Sequence, residues 1–212
     1  VWRNILVEGA GGIGVSVTES VDYNGQPGID IKISRYSWDR IFWDPHSAET
    51  DFEDAGYKGV VLWMDYDDAL AMYKENKDAA NILDVTLTSA PSDTYDDKPK
   101  HSLWADKKRK RVRICQIWVK RDNDWYFAEY TKGGILKAGR SPFVTDKGET
   151  DDELIFQSAY VDRDNNRYGL VREMITLQDE INKRRSKSLH LLSSNQTQYE
   201  KGAIKDVEKF RR

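Results

Sequence analysis

The feature that most constrains the fold is a change of hydrophobic period at Tyr168-Gly169. Upstream, apolar residues alternate: Val15 and Val17 on one side of Asn24-Gly25, then Ile29, Ile31 and Ile33 on the other. Two such runs around an Asn-Gly pair predict a β-hairpin, with a loop longer than two residues. Strands are also predicted over 111–120 and 125–130, joined through Arg121-Asp122-Asn123-Asp124, which has the composition of a turn. Gly133-Gly134 and Gly139 punctuate a third strand that runs out at Pro142. Downstream of Tyr168 the apolar residues Leu170, Met174, Leu177, Ile181, Leu189 and Leu192 recur at helical spacings. They predict an amphipathic helix of about 25 residues, with Ile181 on its buried face. Hairpins followed by one long helix make an α+β chain.

Other segments are read from local signals. Residues 1–8 are a helix end or a short strand, broken by Gly9, Gly11, Gly12 and Gly14. An aromatic, strand-like stretch from Trp38 to Trp43 stops at Asp44-Pro45, and 46–56 are turn-like. Residues 58–64 read as a short buried strand. Asp65 is the expected cap of a helix reaching Asn76 through Ala69, Leu70, Met72 and Tyr73. Residues 85–106, rich in Ser, Thr, Asp and Pro, are expected to be a mobile connection, and 145–153 are again polar. There is no internal repeat and no low-complexity tract.

Composition excludes several classes. Charged residues at 33% would suit a disordered chain, but 7 Trp, 11 Tyr and 6 Phe demand a packed core. The longest apolar run, Val60 to Met64, is five residues, far short of the roughly 20 of a spanning helix. Signal-peptide and transmembrane readings fail with it. The single Cys115 excludes an internal disulfide and a multi-cysteine zinc site. Net charge is −3, yet residues 1–100 carry 19 acids and 9 bases (−10) and residues 101–212 carry 17 and 24 (+7). Such a split suits an oriented surface or a polyanionic partner, or simply two solvated faces. The chain opens at Val1 and ends on Lys209-Phe210-Arg211-Arg212, so it is expected to be a piece of a longer polypeptide.

Three groups of residues could carry chemistry. Gly9-Ala10-Gly11-Gly12-Ile13-Gly14 spells G-x-G-x-x-G, but the dinucleotide fingerprint needs a strand before it and a helix after it. Residues 15–21 alternate like a strand instead, so the glycines are expected to form a turn, with no cofactor. Asp44, His46, Asp51 and Asp54 could hold a divalent cation or act in a metal-dependent hydrolase, although no EF-hand spacing is present. No catalytic motif with a nucleophile elbow, H-E-x-x-H or P-loop spacing occurs, and neither a catalytic residue nor a metal site is assigned. Two basic clusters remain, 107–113 and Lys183-Arg184-Arg185-Ser186-Lys187. Either could track a phosphate backbone without reading sequence, or face solvent. A stand-alone nucleic-acid-binding or scaffold module is the alternative these clusters leave open.

The run from Tyr168 through Arg172-Glu173-Met174 and Gln178-Asp179-Glu180-Ile181 to Lys187 resembles a signature of tailed-phage portal proteins, closest to those of short-tailed Salmonella-type phages. Ser141-Pro142-Phe143, Gly202-Ala203-Ile204-Lys205-Asp206-Val207-Glu208 and Trp38-Asp39-Arg40-Ile41-Phe42-Trp43-Asp44-Pro45-His46-Ser47 resemble it too. So do Asp51-Phe52-Glu53-Asp54-Ala55 and Lys58-Gly59, all in the same order along the chain. The resemblance implies a non-enzymatic subunit of a dodecameric ring at a capsid vertex of the virion, assembled in the host cytoplasm. Double-stranded DNA would be packaged and ejected through the ring, with terminase, capsid or scaffolding and tail-connector proteins as partners and no membrane. Residues 1–167 would be a mixed α/β wing-like region, and 168–212 the long helix and a following segment leading toward the ring interior or stem. Lys183, Arg184, Arg185 and Lys187 would then contact DNA in the channel or a neighbouring subunit.

Overall fold

The computed structural model describes residues 1–21, 26–90, 103–194 and 200, with side chains placed for all of these except 18–21. Its elements run α1 (Trp2–Val7), β1 (Ala10–Val21), β2 (Pro27–Tyr36), a 3-10 turn (Trp38–Arg40), β3 (Ile41–Trp43), β4 (Tyr57–Asp65), α2 (Tyr66–Met72) and α3 (Ala79–Thr88). Next come β5 (Ala105–Asp106), β6 (Arg111–Arg121), β7 (Asp124–Thr131), β8 (Gly134–Arg140), β9 (Phe143–Val144) and β10 (Thr150–Asp151). The last are β11 (Leu154–Ser158), β12 (Tyr160–Val161), β13 (Arg167–Tyr168) and α4 (Val171–Ser193). The chain is α+β and divides into two units, 1–170 and 171–212.

The first unit is organised on β6. Its neighbours give the order β3-β4-β6-β7-β8, all antiparallel, and β5 adds to the end of β6 that β7 does not reach. Val112, Ile114, Gln116 and Trp118 point to one face, and all are buried. That face is covered in two halves. At one end α2 and α3 bring Ala69, Tyr73, Ala79 and Leu83 against Val112, Ile114 and Leu136. At the other, a second sheet of order β11-β1-β2 brings Ala10, Leu154 and Phe156 against Val60, Trp118 and Trp125. On the opposite face Cys115 is buried, while Arg113, Ile117 and Val119 stay half-buried.

Several expectations are corrected. Gly11, Gly12 and Gly14 lie inside β1, and only Gly9, at φ +96°, makes the turn after α1. A Cβ on Gly12 would come within 2.5 Å of the buried Phe156 ring, so this glycine serves sheet packing. Helix precedes strand here, the reverse of the dinucleotide arrangement. The Asn24-Gly25 pair falls outside the described residues, but the strands on either side pair in register from Gly12↔Tyr36 to Val21↔Pro27. Trp38–Arg40 is a 3-10 turn, and strand begins only at Ile41.

The helix from Asp65 stops at Met72 rather than Asn76. Asn76 is taken into the turn instead: its side-chain amide donates to the Leu136 carbonyl at 2.8 Å, and its carbonyl oxygen accepts from the Asp78 backbone at 3.0 Å. Such local bonds compete with helix propagation. Asp65 occupies the cap position without a capping hydrogen bond, its carboxylate pairing with Arg111 at 3.0 Å. The expected connection over 85–106 begins as helix, since α3 runs to Thr88, and it ends in β5. Residues 91–102 within it lie outside the described residues.

Candidate subunit and nucleic-acid interface

The acidic loop between β3 and β4 is built around its carboxylates. Asp44 accepts from the backbone amides of His46 at 2.9 Å and Gly56 at 3.1 Å, pinning both ends of the loop together. Asp54 accepts from Ser47 Oγ and the Ala48 amide, each at 2.6 Å, and from the Glu49 amide at 3.3 Å. Desolvation pushes the Asp54 pKa up, but these donors outweigh it and hold the carboxyl below its usual value. Glu49, Asp51 and Glu53 bring carboxylate oxygens within 4.8 Å of one another on the exposed side. An exposed acidic turn of this kind is common without a metal. His46 is exposed and engages Asp44 only through its backbone. The four residues considered for hydrolysis are therefore not brought to one centre: two hold the loop and two face outward.

Two features that sequence reasoning did not single out lock this loop to the core. Phe52 sits at φ +63° and is fully buried, edge-on to Trp43 at 5.2 Å and to Phe156 at 6.0 Å. The Arg167 guanidinium lies 4.4 Å over its ring and donates to the carbonyls of Ser47 at 2.9 Å and Glu49 at 2.6 Å. Nearby, Lys58 is buried against Asp152 at 2.7 Å, donates to the Leu154 carbonyl at 3.2 Å and lies over Trp125. Burial drives the Asp152 carboxyl up, with Lys58 opposing. An isolated Lys or Arg in the sequence does not announce such pairing; the partners lie about a hundred residues away.

The basic cluster before β6 is partly committed to the fold. Arg111 holds Asp65 and the Trp63 carbonyl, and Arg113 lies 5.1 Å from the centre of the Trp104 ring. Residues 107–110 form the exposed turn ahead of them.

The second cluster lies on α4. At about 100° per residue, Met174, Ile181 and Leu192 share one side of the helix. Lys183 and Lys187 project from the opposite side, and Arg185 from the apolar side. Arg184 lies between the two and pairs with Glu180, one turn back. The acids Glu173, Asp179 and Glu180 occupy the N-terminal half and the bases other than Arg172 the C-terminal half, the sense that the helix dipole favours. None of the helix's side chains is buried, and Ile181, expected on a buried face, is 57% exposed. The period located the apolar stripe, and among the described residues nothing buries it.

Among known families, the model described as phage P22-like portal protein matches residues 3–124 and 120–212. No curated protein matches the chain.

Proposed function

The chain belongs to the phage P22-like portal protein family, and on that premise we propose that it forms part of a dodecameric ring at the capsid vertex, through which double-stranded DNA enters and leaves. Terminase supplies the motor, and scaffolding and tail proteins dock on the ring. The family match over nearly the whole chain carries this reading. The physical character of α4 supports it: an amphipathic helix of 23 residues with no buried side chain is built to be covered by something else.

The helix divides the work between its faces. Its apolar stripe, with Arg185 beside it, packs against a neighbouring subunit, and Arg184 with Glu180 borders that contact. Lys183 and Lys187, on the far side, are left to meet phosphates. Lysines making point-charge contacts hold a duplex without fixing its register, which is what a sliding DNA requires. No helix among the described residues is long and apolar enough to cross a membrane.

Two measurements test this. Sedimentation and negative-stain imaging of the full-length polypeptide should show annular particles; a monomer at every concentration would overturn the ring. In assembled rings, Lys183→Gln with Lys187→Gln should leave particle yield unchanged while lowering DNA retention, with a shallower dependence on salt. Loss of the ring instead would assign these lysines to the subunit contact.

A further inference from the structure

The hairpin β1–β2 is a sheet for only part of its length. Pairing of β1 with β11 ends at Gly14↔Leu154, and beyond the Val15 amide, which donates to the Glu153 carbonyl at 3.0 Å, β1 pairs with β2 alone as far as Val21. That leaves a two-stranded ribbon of about seven residues per strand, roughly 23 Å long. Two-stranded ribbons are marginally stable in water unless one face is covered.

The faces of the ribbon are chemically opposite. Residues directly across antiparallel strands share a face, so Val15 and Ile33, Val17 and Ile31, and Ile29 beyond them form one side. Ser16 with Lys32, and Asp30 and Ser34, form the other. Both sides of the ribbon are exposed, the apolar one included: Ile29, Ile31 and Ile33 are 77%, 64% and 67% exposed, and Val17 is exposed as well. Ile155, paired with Ile13 on β11, extends the same patch at the base. Together these side chains leave on the order of 500 Å² of apolar surface in water, as much as the largest patch of a typical monomer and well over half of the roughly 800 Å² that each partner buries in a standard interface.

We infer that this apolar ribbon face is covered by a second copy of the chain. The inference rests on the ring proposed above and names one of its contacts. In a closed ring of more than two copies each contact is heterologous, joining two different surfaces of the same subunit. The first unit carries a second surface of the right character. On the outer face of the large sheet, Trp38, Phe42, Trp43, Trp104 and Tyr130 line an open cleft of about 450 Å³. Arg113 over Trp104 holds one wall. β-branched aliphatic side chains on the ribbon and half-exposed aromatic side chains in the cleft can desolvate each other, while exposed Arg35 at the ribbon's base and exposed Asp39 in the cleft are of opposite sign, and neither surface is otherwise covered among the described residues. The ribbon of one copy therefore lies in the aromatic cleft of the next.

Ile29→Lys with Ile31→Lys tests the contact in the full-length polypeptide. Both residues are exposed in the single chain, so the near-ultraviolet dichroism and the thermal midpoint measured at dilutions where the wild type is monomeric should not change. Association measured by sedimentation should weaken at least about 100-fold, the loss expected on removing interface hot spots. Trp38→Ala should weaken it in the same assay, and Lys32→Ser, on the polar face, should not. A double variant that assembles like the wild type overturns the ribbon contact and leaves the ring standing; a wild type that never assembles overturns the ring itself. A Trp38→Ala variant with unchanged association overturns the cleft as the acceptor.

Discussion

Phe52 offers the sharpest test of how the acidic loop is held. Its ring is fully buried, edge-on to Trp43 and Phe156 and beneath Arg167 at 4.4 Å, so Phe52→Ala removes atoms from a site closed on three sides. Truncating a buried Phe costs about 3–5 kcal/mol in lost transfer and cavity energy. The neighbours cannot collapse into the space easily. Phe156 lies against Gly12, where its ring leaves no room for even a Cβ, and Arg167 is tied to Ser47, Glu49 and Ser158. The expected loss is therefore about 4 kcal/mol, which at roughly 2–4 °C per kcal/mol for a unit of this size lowers the midpoint by about 8–16 °C.

The backbone supplies an internal control. Phe52 sits at φ +63°, where any residue with a Cβ pays about 1 kcal/mol and glycine does not. Phe52→Gly removes even more side chain than Phe52→Ala, yet it should be the more stable of the two by roughly that amount. Equilibrium urea unfolding followed by tryptophan fluorescence measures both. An alanine variant within about 1.5 kcal/mol of wild type, or a glycine variant clearly below the alanine one, would refute the account.

The same part of the fold yields two further outcomes. Gly12→Ala places a methyl 2.5 Å from the Phe156 ring and should destabilise by about 1–3 kcal/mol through overpacking, read from the same unfolding curves. Asp54 has a folded-state pKa below its ordinary value, so its contribution is complete above the unfolded carboxylate range and is lost as pH falls through the folded value. Melting from about pH 6 down to pH 2 should show a steeper acid loss in the wild type than in Asp54→Asn; parallel curves would mean that the loop is indifferent to this charge.

Much of the fold was legible because local signals agreed with it. The hairpin joining β6 to β7 turns at Asp122-Asn123, both at positive φ, where the sequence places two residues that tolerate that conformation. The parts that were not legible depend on distant partners. Helix α3 reads AANILDVTLT, and its β-branched Val85, Thr86 and Thr88 argue against helix locally. Thr86 is nonetheless fully buried there, donating to the Ile82 carbonyl at 2.9 Å and accepting from the Gly133 amide at 2.9 Å. Tertiary bonds overrule propensity at that point. The candidate lysines on α4 were found by charge, and their arrangement around the helix by period, while what faces them lies beyond anything a periodic pattern encodes.

The limits of period are clearest where two strands share one pattern and meet different fates. In β11, Leu154, Phe156 and Ser158 alternate with exposed Ile155 and Gln157, and the inward set is buried in the core. In β2, Ile29, Ile31 and Ile33 alternate just as regularly, and they face water. The difference is the face. Leu154, Phe156 and Ser158 pair with Gly14, Gly12 and Ala10 on the side turned to the core, whereas the register puts Ile29, Ile31 and Ile33 on the side of Ile13 and exposed Ile155, turned away from it. Alternation thus states that a face exists and which residues form it; the pairing decides whether the chain itself can cover that face. For the ribbon and for α4 the described residues do not supply the cover, and the proposed association would gain about 0.8 kcal/mol per CH₂ it buries. On the proposed contact, folding and assembly rest on separate side chains, so a core substitution such as Phe52→Ala and a ribbon substitution such as Ile31→Lys should act on different measurements.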